Sequence, residues 1–438
     1  MKRGLLIVFL MLNVTTNVAL AASSMSSMGQ QQLAQQLNRI IQQVSPNADV
    51  GVQIKSMQSG NVLYARNAQD VFAPASILKI LTAEAALLYL GPQYTFSTRL
   101  MTDSHRTANG VIEGNVYLVH SGDPSLTNGD LSDLLEQLKA QHVHEVTGNI
   151  YIDNTAYDQS NFGPGWIWHD EQYCYGAPIN ASIIDHNCQL SRPAATTRRQ
   201  RRANKVQYAL GSSAVIRDVI SYNKSLLNWS LRHADIQVDG EIQAGSAPSN
   251  ARMLVEHQSQ PLSALVKRML KKSDNIIAGS LFKKMGAVYS KRPGSWANGS
   301  EAVKAVLGDS AEMSSLQMNL LDGSGLSPDN RIKPAQVMQV LNFAFHHSST
   351  HYEFLTSLPI AGVDGTLKHR LYNVARRVRA KTGSMPISGV ASLAGYAMSR
   401  EKEPLAFVII VNGHRGGTWK YRKMEDDIVT ALANYRNA

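Results

Sequence analysis

Apolar residues at Leu33, Leu37, Ile40, Ile41 and Val44 recur at the spacing of one helix face, so Gln31 to Val44 reads as an amphipathic helix. Val50–Ile54 and Asn61–Tyr64 read as strands of a hairpin around Gln58-Ser59-Gly60. The next stretch has a different pattern. Pro74-Ala75-Ser76-Ile77-Leu78-Lys79 opens a helix that runs to about Leu90 and ends at Gly91. Ile77, Leu78, Ile80, Leu81, Ala83, Ala85, Ala86, Leu87 and Leu88 cover most of its circumference, which predicts a largely buried helix. Glu84 marks one edge as reaching water. Ser76 and Lys79 lie three apart, on one face, and no acid occupies the positions one turn from Lys79. A lysine there does not serve solubility.

From about Pro92 the texture changes to short strands and turns. Val116–Val119 and Asn149–Ile152 read as strands, with a helix at Leu131 to Gln141 between them. From Leu262 the pattern is helical again: Leu262 to Leu270, Ile276 to Met285, Ala302 to Leu307 and Ala335 to His346. Val378–Lys381, Val390–Ala397 and Leu405–Val411 read as strands, and Met424 to Tyr435 as a closing helix. The two ends of the chain therefore read as one α/β domain, and the mixed α and β middle as an insertion.

The 438 residues suffice for two or three domains. Met1-Lys2-Arg3, the apolar run Leu5 to Leu12 and Ala19-Leu20-Ala21 make a secretory signal of residues 1–21. No other stretch is long and apolar enough to span a bilayer, so the expectation is an exported protein without a membrane anchor. Removing Lys2 and Arg3 takes the formal charge from +10 to +8. For an exported chain that balance suits anionic wall polymers or membrane surfaces rather than nucleic acid. The densest basic run, Arg198 to Arg202 with Lys205 following, lacks interleaved aromatics and reads as an exposed loop. The two cysteines, Cys174 and Cys188, form either a disulfide or two buried thiols, and their spacing matches no metal or redox motif. No metal and no cofactor is expected.

A serine becomes a nucleophile when a base stands near it, and a lysine is such a base when its surroundings lower its pKa. Ser-x-x-Lys alone carries little information. Ser273-Asp274-Asn275 alone is a helix N-cap, and Lys381-Thr382-Gly383 alone is close to noise. In this order, each on its expected element, the three form the set found in penicillin-binding proteins and class A β-lactamases. The set implies that Ser76 attacks a carbonyl to form an acyl-enzyme while Lys79 takes the hydroxyl proton. Ser273 passes that proton to the leaving amine, and Asn275 bonds the substrate backbone. Lys381 and Thr382 receive a terminal carboxylate, and the charge of Lys381 favours a neutral Lys79. The Ser76 N–H is half of an oxyanion hole, and the strand about two residues beyond Gly383, near Met385, supplies the other half.

Ser76 and Ser273 lie 197 positions apart, room for a domain-sized insert. With Gly122-Asp123-Pro124, Gly165-Trp166-Ile167-Trp168, Asp322-Gly323-Ser324-Gly325-Leu326-Ser327 and Leu358 to Gly365, the chain resembles the class C low-molecular-mass penicillin-binding proteins. These are D-alanyl-D-alanine carboxypeptidases and endopeptidases. The resemblance implies an α/β (α+β) serine β-lactamase/transpeptidase-like domain of residues 22–92 and 262–438. It is split by a mixed insert, 93–261, with an inner insert at about 190–245. It also implies periplasmic serine DD-peptidase activity on peptidoglycan stem peptides, covalent inhibition by β-lactams, and substrate contacts from Asn275, Lys381, Thr382, Gly383 and Ser384. Asp170 and Arg370 match the residues that face the tip of a diaminopimelate side chain. Five residues, Ser384 to Ser388, separate Lys-Thr-Gly from Gly389-Val390 where the family has three, and Pro386 among them cannot donate to a strand ladder. A β-lactamase or a non-catalytic penicillin-binding sensor on the same fold are the alternatives.

Overall fold

The computed structural model describes residues 28–44, 48–105, 107–190, 213–413 and 417–436. The expected signal, the basic run and most of the first half of the expected inner insert lie outside the described residues. Two compact units divide the chain, one of residues 1–77, 332–346 and 358–438, the other of 78–331 and 347–357.

The first unit is built on a fully antiparallel five-stranded sheet in the order Val378–Met385, Val390–Met398, Pro404–Asn412, Asp49–Ser56, Val62–Arg66. The start and end of the chain therefore pair directly, Val50 opposite Val411 and Ile54 opposite Phe407. Leu405 to Val411 is buried at every position, which explains its unbroken apolar run: both faces of the strand are covered. Helices 28–44 and Trp419–Asn434 cover one face through Leu33, Leu37, Ile41, Met424, Ile428 and Leu432. The Pro334–His346 helix packs on the same sheet, and a side chain at Gly51 would meet Phe72 and Pro334 within 3 Å. Gly51 alternates with the inward-facing Val50 and Val52, so Pro334 lies on the other face.

In the second unit helices pack with a two-stranded ribbon, Cys188–Leu190 and Ser213–Val215, and with two larger sheets. One is a mixed five-stranded sheet ordered Ile242–Ala244, Ile150–Asp153, Val116–His120, Ser97–Thr102, Arg252–Gln258. Helices Asn128–Ala140 and Val219–His233 supply its apolar cover. Four two-residue strands form the smaller sheet. Packing does not separate these sheets from the helices Lys79–Leu90, Leu262–Lys272, Asn275–Ser290 and Trp296–Ala311. Polar bonds stitch them together: Tyr157 Oη donates to Ser280 O at 2.9 Å and Lys283 Nζ to Asp158 at 2.7 Å. The change of sequence texture near residues 92 and 261 thus falls inside one packed unit.

Glu84 corrects the reading of its helix, for it is completely buried rather than at a solvent edge. Pro386 also differs from expectation. Ser384 and Met385 continue the ladder opposite Ala391 and Val390, and Pro386 opens the hairpin loop, where no ladder donor is needed.

Candidate active site

In the first unit the segment before Ser76 is fastened to the sheet. Asn412 accepts from Ala73 N at 2.7 Å and donates to Ala73 O at 3.0 Å, and Ser392 Oγ donates to Pro74 O at 2.7 Å. Ala73 and Ala75 pack on Met385 and Val390. Ala75 has φ +50°, an uncommon conformation for a residue with a Cβ, held by these bonds immediately before the serine. Ser76 is partly exposed. The strand passes so close that a Cβ at Gly383 would lie 3.0 Å from Ser76 N and 3.1 Å from the Ala75 methyl, and against Ser392 Oγ. That close approach is why glycine follows Lys381-Thr382. Lys381 is buried, its Nζ donating to Thr382 O at 2.6 Å, and Thr382 Oγ1 donates to Thr366 Oγ1 at 2.8 Å.

Strand alternation reassigns one backbone donor. Ala361 N donates to Val378 O and Ala380 N to Pro359 O, so Val378 and Ala380 turn their peptide groups to the outer edge. By the period of two, Thr382 and Ser384 do the same and Met385 does not. The N–H at the open edge is therefore that of Ser384, one residue past Gly383, rather than that of Met385. Arg422 Nη2 donates to Ser384 Oγ at 3.3 Å.

The join between the two units falls between Ile77 and Leu78, inside the Ser-x-x-Lys turn. Ala75–Leu78 is a 3₁₀ turn that runs directly into the α-helix Lys79–Leu90. In the second unit Lys79 is completely buried, and its Nζ donates to Asn275 Oδ1 and to Ser324 O, both at 2.7 Å. Burial lowers its pKa to about 7, against the opposing charges of Asp322 and Asp274. The carbonyl it uses belongs to a loop organised by buried Asp322. Oδ1 of Asp322 accepts from Ser324 N at 2.8 Å and Gly325 N at 2.6 Å; Oδ2 accepts from Ser327 N at 2.8 Å and Trp166 Nε1 at 2.7 Å. Asp322-Gly323-Ser324, which the sequence marks only by resemblance, thus fixes the lysine through the Ser324 carbonyl.

Ser273 closes the Leu262–Lys272 helix with φ +59°, and Asp274 caps the next helix, its Oδ1 accepting from Ile276 N at 3.0 Å and Ile277 N at 3.1 Å. Burial pushes the Asp274 carboxyl up, but bonds from His186 and the Ile277 amide, with the charges of His186 and Arg268, outweigh it and hold the group below the usual range. Asn275 Oδ1 accepts from Lys79 Nζ, and its Nδ2 donates to Tyr175 O at 2.9 Å.

Asp170 is partly buried and accepts from Tyr175 Oη at 2.8 Å. Cys174 and Cys188 are disulfide-bonded, with Cα atoms 5.4 Å apart. Arg370 belongs to the first unit. Its guanidinium donates to Glu425 at 2.9 Å, to Asp426 at 2.8 Å and to Arg422 O at 3.1 Å. Burial works against its charge, and the two carboxylates more than restore it. Burial also pushes Glu425 up to about 7 in spite of Arg370. Among the described residues no cluster of His, Cys, Asp and Glu is arranged to hold a metal, and no helix is long and apolar enough to cross a membrane.

A serine turn pinned on the Lys-Thr-Gly strand, and a buried lysine held by Asn275, are the features of a serine peptidase of the penicillin-binding type. The sequence matches the D-Ala-D-Ala carboxypeptidase 3 (S13) family over residues 33–209 and 203–435, and the chain belongs to that family. It is a serine peptidase. It is 30% identical over 448 residues to D-alanyl-D-alanine carboxypeptidase DacB of Haemophilus influenzae, covering 91% of this chain and 92% of that one. It is 30% identical over 446 residues to a D-alanyl-D-alanine carboxypeptidase of Actinomadura sp. strain R39, covering 88% and 81%. The crystal structure of penicillin-binding protein 4 from Haemophilus influenzae superposes with a TM-score of 0.81 at 28% identity, over 91% of this chain and 99% of that one. A peptidoglycan endopeptidase of Bdellovibrio bacteriovorus, 18% identical, shares the fold with a TM-score of 0.54.

Proposed function

We propose that this protein is a periplasmic DD-peptidase that cleaves the bond after the penultimate D-alanine of peptidoglycan stem peptides through an acyl-enzyme on Ser76. The observation that carries the reading is Lys79, fully buried, with its pKa brought down to about 7 and its amine held by Asn275 and Ser324 O. A lysine in that state is neutral in a large fraction of molecules at neutral pH and accepts the Ser76 proton as Oγ attacks. The carbonyl oxygen takes up negative charge facing the N–H groups of Ser76 and Ser384. Ser273 relays the proton to the departing amine, which is free D-alanine or the crosslinked amine of a neighbouring stem. Lys381 and Thr382 bind the terminal carboxylate, with Gly383 keeping the strand close. Water then releases the acyl group, and the chemistry requires no cofactor. A β-lactam enters the same first step and stays attached.

Asp170 is the acid we assign to the diaminopimelate amine. Arg370, already neutralised by Glu425 and Asp426, serves the carboxylate end chiefly by fixing the helix turn that carries Arg422. Residues 22–92 and 262–438 form the catalytic domain in this reading, with 93–261 inserted. Purified disaccharide-peptides, resolved by mass after incubation, test the assignment. Loss of terminal D-alanine or opening of crosslinks by wild type, and neither by Ser76→Ala, is the expected result. Equal turnover by both proteins would overturn it.

A further inference from the structure

Two side chains of the Ser-Asp-Asn motif are held from outside the motif, and both holders lie within one short segment. Tyr175 O accepts from Asn275 Nδ2 at 2.9 Å. His186 Nε2 stands 3.1 Å from Asp274 Oδ2 and 3.1 Å from Arg268 Nη2, and Arg268 Nε lies 3.7 Å from the same Asp274 oxygen, so imidazole and guanidinium together hold that carboxylate. Tyr175 follows Cys174 and His186 precedes Cys188 by two residues, so the disulfide ties together the two points that grip the motif.

The backbone around His186 is unusual. Asp185, His186 and Asn187 have φ of +50°, +59° and +50°, three consecutive left-handed residues with none of them glycine. Such a turn persists only where its surroundings over-determine it. Asp185 N donates to Leu126 O at 2.9 Å, Asn187 Nδ2 donates to Pro178 O at 2.9 Å, and Cys188 is covalently fixed. The turn aims an imidazole at the carboxylate that caps the Asn275–Ser290 helix. None of the three catalytic motifs contains His186.

We propose that His186 is a positioning residue for acyl transfer: it holds Asp274, and through the cap and Asn275 it sets both the place of Lys79 Nζ and the field that Nζ feels. The proposal rests on the reading of Ser76 and Lys79 as nucleophile and base. Among the described residues, Asp322 and Asp274 are carboxylates whose charges act on Lys79. Those acting around His186 are Asp274, Arg268 and Asp185. Taking the imidazole away leaves the Asp274 charge less compensated, and a less compensated anion near Lys79 favours its protonated form. The neutral base is then available only at higher pH.

The test is the rate of covalent labelling by a fluorescent penicillin between pH 5 and pH 10 (a window of about five units, wide enough to span a lysine perturbed to neutral pH), for wild type, His186→Ala and His186→Gln. Thermal unfolding is recorded on the same samples. His186→Ala should label roughly tenfold more slowly at neutral pH, with the acid limb of the profile moved upward by about half a unit. His186→Gln keeps a polar side chain that can bond Asp274 and should restore most of the rate and the position of the limb. An unmoved limb in His186→Ala, with any rate loss matched by a lowered Tm, would overturn the proposal, as would full wild-type behaviour. Failure of the underlying reading looks different, since wild type itself would then take up no label.

Discussion

Lys79 and Glu84 share a helix and show how burial acts on opposite charges. Each is completely enclosed, and each has its pKa moved to about 7, the lysine downward and the glutamate upward. Ser348 pulls Glu84 back toward ionisation without cancelling the burial effect. The consequences for stability have opposite signs. For Lys79 the unfolded chain holds the extra proton between about pH 7 and pH 10.5, so its contribution to stability rises with pH across that window. For Glu84 the folded protein holds the extra proton between pH 4.5 and about 7, so its contribution falls as pH rises through that window. Glu84→Gln should therefore raise Tm at pH 8 and leave it nearly unchanged at pH 4, as read by calorimetry. Lys79→Arg should abolish acylation, by a factor on the order of 10³ or more, because a guanidinium does not release its proton in this range. A stopped-flow assay with a chromogenic β-lactam measures it directly. The apolar run around Lys79 made its burial legible in sequence. Glu84 was misjudged because a single carboxylate on an apolar helix is usually at a water-facing edge, and nothing local announces an enclosed one.

At the scale of elements, some strands and helices were legible almost to their ends, while Ala302–Leu307 proved to be the middle of the Trp296–Ala311 helix. Leu405–Val411 appears as Pro404–Asn412, and Ala335–His346 as Pro334–His346. The Val219–His233 helix was not legible. Its buried face carries Asn223 and Ser230 alongside Val219, Leu227 and Leu231, so the apolar spacing is broken where Asn223 bonds Ser182 O at 2.7 Å. The three motifs were read from their order, but the partners that give the Asp322 loop and the His186 turn their place, Trp166 and Asp274, are more than 80 positions away, which no local pattern records. Two elements invite perturbation. Gly383→Ala places a methyl group between Ser392 and the Ser76 amide, so the strand or the nucleophile turn must shift. Acylation should fall at least about tenfold, with a lower Tm, the signature of lost alignment rather than lost chemistry. The disulfide closes a loop of sequence separation 14 and should contribute roughly 3 kcal/mol by the loop-entropy argument. Chemical denaturation of oxidised and reduced protein measures that difference.

At the scale of the molecule, the chain places Ser76 and the Lys-Thr-Gly strand in one compact unit and Lys79 and the Ser-Asp-Asn turn in the other, with the unit boundary inside Ser-x-x-Lys. The pairing of the first strand with the last was legible as a shared domain. The joining of the segment after Ile150–Asp153 to the helices of residues 262–311 was not, because bonds such as Lys283 to Asp158 link residues 125 positions apart. The central claim, one serine acylated with one buried lysine as its base, is tested most directly by mass spectrometry of the protein after brief exposure to penicillin, followed by peptide mapping. The account predicts a single adduct of the antibiotic's mass on the peptide containing Ser76, absent from Ser76→Ala and strongly suppressed in Lys79→Arg. An adduct on any other residue, or undiminished labelling of Ser76→Ala, would contradict it.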